Sequence, residues 1–158
     1  MYNTSIIKID EKNWSFVEYK NKLCVIYYWF PLQIGEIDYS TNTMDIIEIK
    51  YNIPDYFKNA RGSTSGYIYN KEIWFVLHKT QYKDNKKNYQ HFFAIFDLYM
   101  NLIRYSELFK LGNCMVEFCT GLIIKNDKII LSYSLLDSQS IISEYTMDSI
   151  HSIKWYLN

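Results

Sequence analysis

The stretch Gly66-Tyr67-Ile68-Tyr69-Asn70-Lys71-Glu72-Ile73-Trp74-Phe75-Val76-Leu77-His78 sets two apolar runs on either side of a short polar corner. β-branched and aromatic residues favour a pleated, packed surface, and Asn at the corner tolerates the positive φ of a tight hairpin turn. The same pattern occurs twice more. Phe16-Val17-Glu18-Tyr19-Lys20-Asn21-Lys22-Leu23-Cys24-Val25-Ile26-Tyr27 precedes it, and Gly121-Leu122-Ile123-Ile124-Lys125-Asn126-Asp127-Lys128-Ile129-Ile130-Leu131-Ser132-Tyr133 follows it. Three spaced hairpins make the chain an internal repeat.

Each hairpin is followed by a further pair of strand-like runs: 34–39 with 44–50, 90–97 with 101–106, and 140–146 with a shorter run over 150–156. The repeating unit is therefore four strands over roughly 50 residues, the size of a propeller blade. The sequence predicts an all-β fold of three consecutive four-stranded antiparallel meanders, a partial, three-blade β-propeller with units at about 12–54, 62–111 and 115–156. The linkers support these boundaries, since 54–65 carries Pro, Asn, Gly and Ser, and 111–113 carries a Gly-Asn turn. The polar segment 82–88 reads as a loop within the second unit, its charge that of a solvated hairpin tip. Segment 97–111 fits strand, turn and strand better than helix. Complete propellers have about four to eight blades, so three blades leave edge strands open to a copy of the chain or to another protein.

The 17 basic and 17 acidic residues of the 158-residue chain balance, which gives no electrostatic footprint for nucleic acid. The longest apolar run, 23–32, is too short to span a bilayer, so no membrane partner is expected. No export signal is visible at the start of the chain. Cys24, Cys114 and Cys119 are an odd set without zinc-ligand spacing, and they read as reduced thiols in a cytoplasmic protein. Four Trp, nine Phe and sixteen Tyr form a heavy aromatic load, part of which AT-rich coding would also produce. There is no phosphate-cradling glycine loop, nucleophile elbow or metal-binding helix motif, and no cofactor is expected.

Three short patterns stand at the unit entrances: Glu11-Lys12-Asn13-Trp14-Ser15-Phe16, Arg61-Gly62-Ser63-Thr64-Ser65, and Glu117-Phe118-Cys119-Thr120-Gly121-Leu122. In order and spacing, from Lys12 to about Ile150, the chain resembles the C-terminal blades of the five-bladed propellers of the mannoside phosphorylase and glycosidase-like superfamily, including propeller modules found alongside glycosyltransferases. The resemblance implies a glycan or sugar phosphate as ligand. It implies that Lys12, Arg61 and His78 hold the phosphate, that Asp137 binds sugar hydroxyls, that Glu117 lies near the same channel, and that Trp14 and Phe118 stack on a pyranose.

Each residue also has an ordinary reading. Lys12 suits a solvated loop, Arg61 an ion pair with Asp55 or Glu107, His78 a core or turn position, Asp137 a turn cap, and Glu117 a pair with a nearby lysine. His91 reads as structural. Two departures from the family pattern count against catalysis. Ser63-Thr64-Ser65-Gly66 stands where prolines would stiffen the loop. The general acid that inverting glycoside chemistry needs belongs in that family to an N-terminal blade outside this chain. The expectation is a non-catalytic or remnant carbohydrate-related module. The alternatives are a glycoside phosphorylase or hydrolase completed by assembly, and a structural protein-interaction module.

Overall fold

Alternating burial along the first strands sets the architecture. The computed structural model describes residues 12–83 and 86–158. In β1 (Ser15–Tyr19), Ser15, Val17 and Tyr19 point inward while Phe16 and Glu18 point out. β1 pairs with β2 (Lys22–Trp29), which continues through β3 (Leu32–Asp38) and β4 (Thr43–Lys50) as a four-stranded antiparallel meander. A single 3-10 turn over Asp55–Phe57 leads to the second sheet and buries Phe57. There the short strands β5 (Arg61–Gly62) and β6 (Tyr67–Tyr69) both pair with β7 (Glu72–Lys83), followed by β8 (Lys86–Asp97) and β9 (Leu102–Ser106). The third sheet is β10 (Glu117–Lys125), β11 (Lys128–Leu135) and β12 (Gln139–Thr146).

The three hairpins of the repeat turn alike. Lys20-Asn21, Asn70-Lys71 and Asn126-Asp127 all have both central residues at φ between 50° and 64°, the mirror-image turn that suits the right-handed twist of paired strands. The chain is all-β and antiparallel, as its hairpin pattern predicts, with a four-stranded meander at its start.

Two differences from the sequence reading are structural findings. The run 150–156 does not add a fourth strand to the third unit. A one-turn helix α1 (Met147–His151), capped by Thr146, turns the chain away, and β13 (Trp155–Leu157) pairs instead with β9 at the outer edge of the second sheet. The reason is that β13 supplies rings to both faces of that sheet. Trp155 stacks on Phe93 and meets Trp74 edge to face, while Tyr156 stacks on Tyr105. The polar segment 82–88 is also mostly strand, with Tyr82 paired to Lys87 and Lys83 to Lys86.

The second sheet lies between the other two. Ile73, Phe75, Leu77, Phe92, Ala94 and Phe96 pack toward Val17, Ile26, Leu32 and Ile34 of the first sheet. From the opposite face Trp74, Val76, Phe93 and Ile95 pack toward Cys119, Leu122, Ile129 and Leu131 of the third. Burial on both faces explains why 73–77 and 92–96 are unbroken apolar runs. The first strands of the sheets approach closely at one side. A Cβ on Gly62 would meet Ser15 and the Asn13 carbonyl, and one on Gly66 would meet Ile73 and Phe75. The Gly66 N–H donates to the Phe16 carbonyl at 2.7 Å. Among the described residues, no helix is long and apolar enough to cross a membrane.

Phe75 is fully buried and meets Trp29 and Phe96 edge to face. Phe75→Ala should lower stability by about 3–5 kcal/mol, whereas Tyr99→Ala at an exposed turn should cost under about 0.5 kcal/mol. Urea midpoints of the two variants check the contrast.

Candidate functional site

Beyond the apolar cores, β7 and β8 continue into water, and their side chains change character. On the face turned toward the third sheet, the pairs His78–His91, Thr80–Tyr89 and Tyr82–Lys87 follow one another. All of them but the fully buried His91 form one wall of a cleft of about 810 Å³. Other walls come from Lys12, Asn13 and Trp14 before β1, Tyr27 to Phe30 near the end of β2, Asn59 to Arg61 at the linker, and Phe118 on β10. The cleft thus draws on all three sheets and opens where their first strands converge.

Five of the seven residues singled out in the sequence meet there: Lys12, Trp14, Arg61, His78 and Phe118. Trp14 is half-exposed and packs against Tyr27 at 5.6 Å. Arg61 is exposed and paired in register with His78. It does not hold Asp55 or Glu107 in an ion pair. Asp55 is bound by Lys58 at 2.7 Å, and Glu107 accepts the Lys154 N–H. His78 is buried at the cleft wall, with Nδ1 2.9 Å from Ser63 Oγ and Phe118 edge to face at 5.1 Å. Burial, then the positive fields of His91 and Arg61, hold its pKa down to about 3. It is a neutral imidazole at physiological pH.

The Ser63-Thr64-Ser65-Gly66 segment is held without prolines. The N–H groups of Ser63 and Thr64 donate to the Val76 carbonyl, and the Val76 N–H donates to Thr64 Oγ1 at 3.0 Å. Ser63 thereby orients His78.

Asp137 and Glu117 do not line the cleft. Asp137 is exposed in the β11–β12 turn, where Leu136 and Asp137 both have positive φ. Glu117 is fully buried but spent on the backbone, accepting the Leu111 N–H at 2.7 Å and the Gly112 N–H at 3.0 Å. His91 Nδ1 lies 3.5 Å from its Oε1, too poorly aligned for a hydrogen bond. The Cys119 N–H donates to His91 Nε2 at 3.3 Å, which places the imidazole proton on Nδ1, facing the carboxylate. Burial pushes the Glu117 carboxyl up, but His91 and the two backbone N–H groups outweigh it and hold the pKa below its ordinary value. Glu117 is a clamp on the linker rather than a channel residue.

The sequence reading missed Lys87, Thr80, Tyr89, Tyr27 and Tyr28. Extending the β7–β8 register by twos from Trp74 would have put Thr80, Tyr82, Lys87 and Tyr89 on the face of His78. The charged lining side chains are Lys12, Arg61 and Lys87, and no carboxylate lines the cleft among the described residues. No three His, Cys, Asp or Glu side chains converge to hold a metal ion among those residues either. The three cysteines are unpaired, and burial pushes Cys119 up to about 12. No protein-family model and no curated protein matches the chain.

Folded His78 titrates near 3 against an ordinary 6.5. Between these values the unfolded chain binds the extra proton, so stability falls as pH drops, by at most about 1.4 kcal/mol per pH unit. His78→Asn should flatten this limb of a plot of urea midpoint against pH. Glu117→Ala leaves the Leu111 and Gly112 N–H groups without their acceptor and should cost about 1–3 kcal/mol, measured by urea unfolding at pH 7.

Proposed function

We propose that the three stacked sheets are consecutive blades of a β-propeller and that the cleft binds a phosphorylated sugar without turning it over. The observation that carries this reading is the composition of the lining. Lys12, Arg61 and Lys87 stand among Trp14, Tyr27, Tyr28, Tyr89 and Phe118, and no carboxylate joins them among the described residues. Aromatic faces suit the C–H faces of a pyranose. A planar Arg fork and compact Lys charges suit a phosphate. His78, neutral and oriented by Ser63, offers a hydrogen bond rather than a charge.

The order of strands within the sheets and the convergence of their first strands on the cleft support the blade reading. Sugar hydroxyls would be met by Asn13, Asn59, Thr80 and the tyrosines rather than by Asp137. Glycoside cleavage of the usual kind uses two carboxylates flanking the bond. The described lining supplies neither, which favours binding over turnover.

Calorimetric titration with mannose 1-phosphate, inorganic phosphate and mannose tests this. The sugar phosphate should bind most tightly and should weaken as salt is raised. Arg61→Ala should cost about 10- to 100-fold, the worth of a charge-assisted hydrogen bond. A folded sample that binds no sugar phosphate would refute the reading, as would release of free mannose during incubation.

A further inference from the structure

The middle sheet shows what this fold does with a sheet face: each of its faces is covered by another sheet. Among the described residues, no further sheet covers the two outermost faces of the stack. On the outer face of the first sheet, register places Phe16, Val25, Gly35 and Ile46 in one row, and Leu23, Ile37 and Met44 in the next. Phe16, Leu23, Ile46 and Ile49 are exposed there, Val25 and Gly35 between them are buried, and Glu18 is the acidic group among them. An apolar sheet face of this extent is an interaction surface.

The outer face of the third sheet is built to a complementary plan. Gly121 and Ser132 keep its centre low, while Ile123 and Ile142 stand up from it, Ile142 at 78% exposure. Large side chains on one face thus meet small ones on the other. The charges match as well. β1 and β10 both start at the cleft and run away from it, so Glu18 and the Lys125–Lys128 pair lie at the same, distal end of their sheets. Glu144, also on the third sheet's face, is bound by Lys128.

We propose that the occupant of these faces is a second copy of this chain, with the first sheet of each copy seated on the third sheet of the other. The inference rests on the propeller reading of the stack, not on the identity of the ligand. Rings of this kind hold about four to eight blades. Two copies of these three sheets make a closed ring of six with two-fold symmetry, within that range. Strand spacing and rise give each face about 400 Å², so the two contacts together bury about 1,600 Å², the size of a standard stable interface. Both clefts then open onto one central channel, because each forms where first strands converge.

Analytical ultracentrifugation at tens of micromolar, with class-averaged electron micrographs of the same sample, tests this. The full chain should sediment at about twice 19.1 kDa and image as a ring with a central hole. Phe16→Glu on the first sheet and Ile142→Lys on the third should each give a monomer with an unchanged circular dichroism spectrum, since both sites are exposed. An equimolar mixture of the two variants should recover the dimer, because one contact is intact and the other sets Glu against Lys. A monomeric wild type would overturn the inference, leaving the blade reading and sugar-phosphate binding to stand on their own tests. Loss of the dimer in Phe16→Glu but not in Ile142→Lys would also overturn it, by showing a face paired with itself. A dimer without a central hole would defeat the propeller reading beneath it.

Discussion

The pairing of β7 with β8 is the constraint on which the rest of the molecule depends. The two twelve-residue strands match from Glu72–Asp97 to Lys83–Lys86. Their central side chains are buried on both faces, so each strand serves two cores at once. A sheet in that position has no solvent face to relax into, and its ladder must satisfy its own backbone groups. Both edges are therefore extended, by β5 and β6 on one side and by β9 and β13 on the other. Arg104 locks the outer side. Its guanidinium donates to both Glu72 oxygens, at 2.6 and 2.8 Å, and lies over the rings of Trp74 and Trp155.

The same pair of strands makes the cleft. Where they leave the cores, the face that carried Trp74 and Val76 goes on to carry His78, Thr80 and Tyr82. The rigid sheet thus fixes a row of polar and aromatic groups, and the other two sheets add Trp14, Tyr27 and Phe118 around it. Ser63 and Thr64 bond to strand β7 itself, so the Arg61 segment is tied to the same support. The buried Glu117 holds the following linker at Leu111 and Gly112 and faces His91 behind His78. The site is positioned by the second sheet more than by its loops.

The hairpins were legible because their information is local. Alternating or unbroken apolar runs give the strands, and Asn or Asp in corners such as Asn70-Lys71 and Asn126-Asp127 gives the positive φ. The gathering of Lys12, Trp14, Arg61 and His78 was legible as well, because each stands at the entrance to a strand or on one leading to the cleft. What escaped was non-local. Nothing in 150–156 says which sheet edge it will join. The choice of β9 comes from rings already placed there, Phe93 and Trp74 on one face and Tyr105 on the other. Glu117 misled for a similar reason. A carboxylate beside a strand entrance reads as a channel group, but its partners are backbone N–H groups five and six residues earlier in the chain. Lys87 was hidden because a charged segment reads as a loop unless the register is followed out to its end.

Native-state hydrogen exchange, resolved by residue, tests the central role of the second sheet most directly. Amides in 73–77 and 92–96 should exchange slowest in the chain and only through global unfolding. Those of the outer strands β4 and β12 should exchange faster, through local opening. Equal or faster exchange in the β7–β8 core than in β4 and β12 would contradict the account, since the sheets would then not depend on a shared, doubly buried centre.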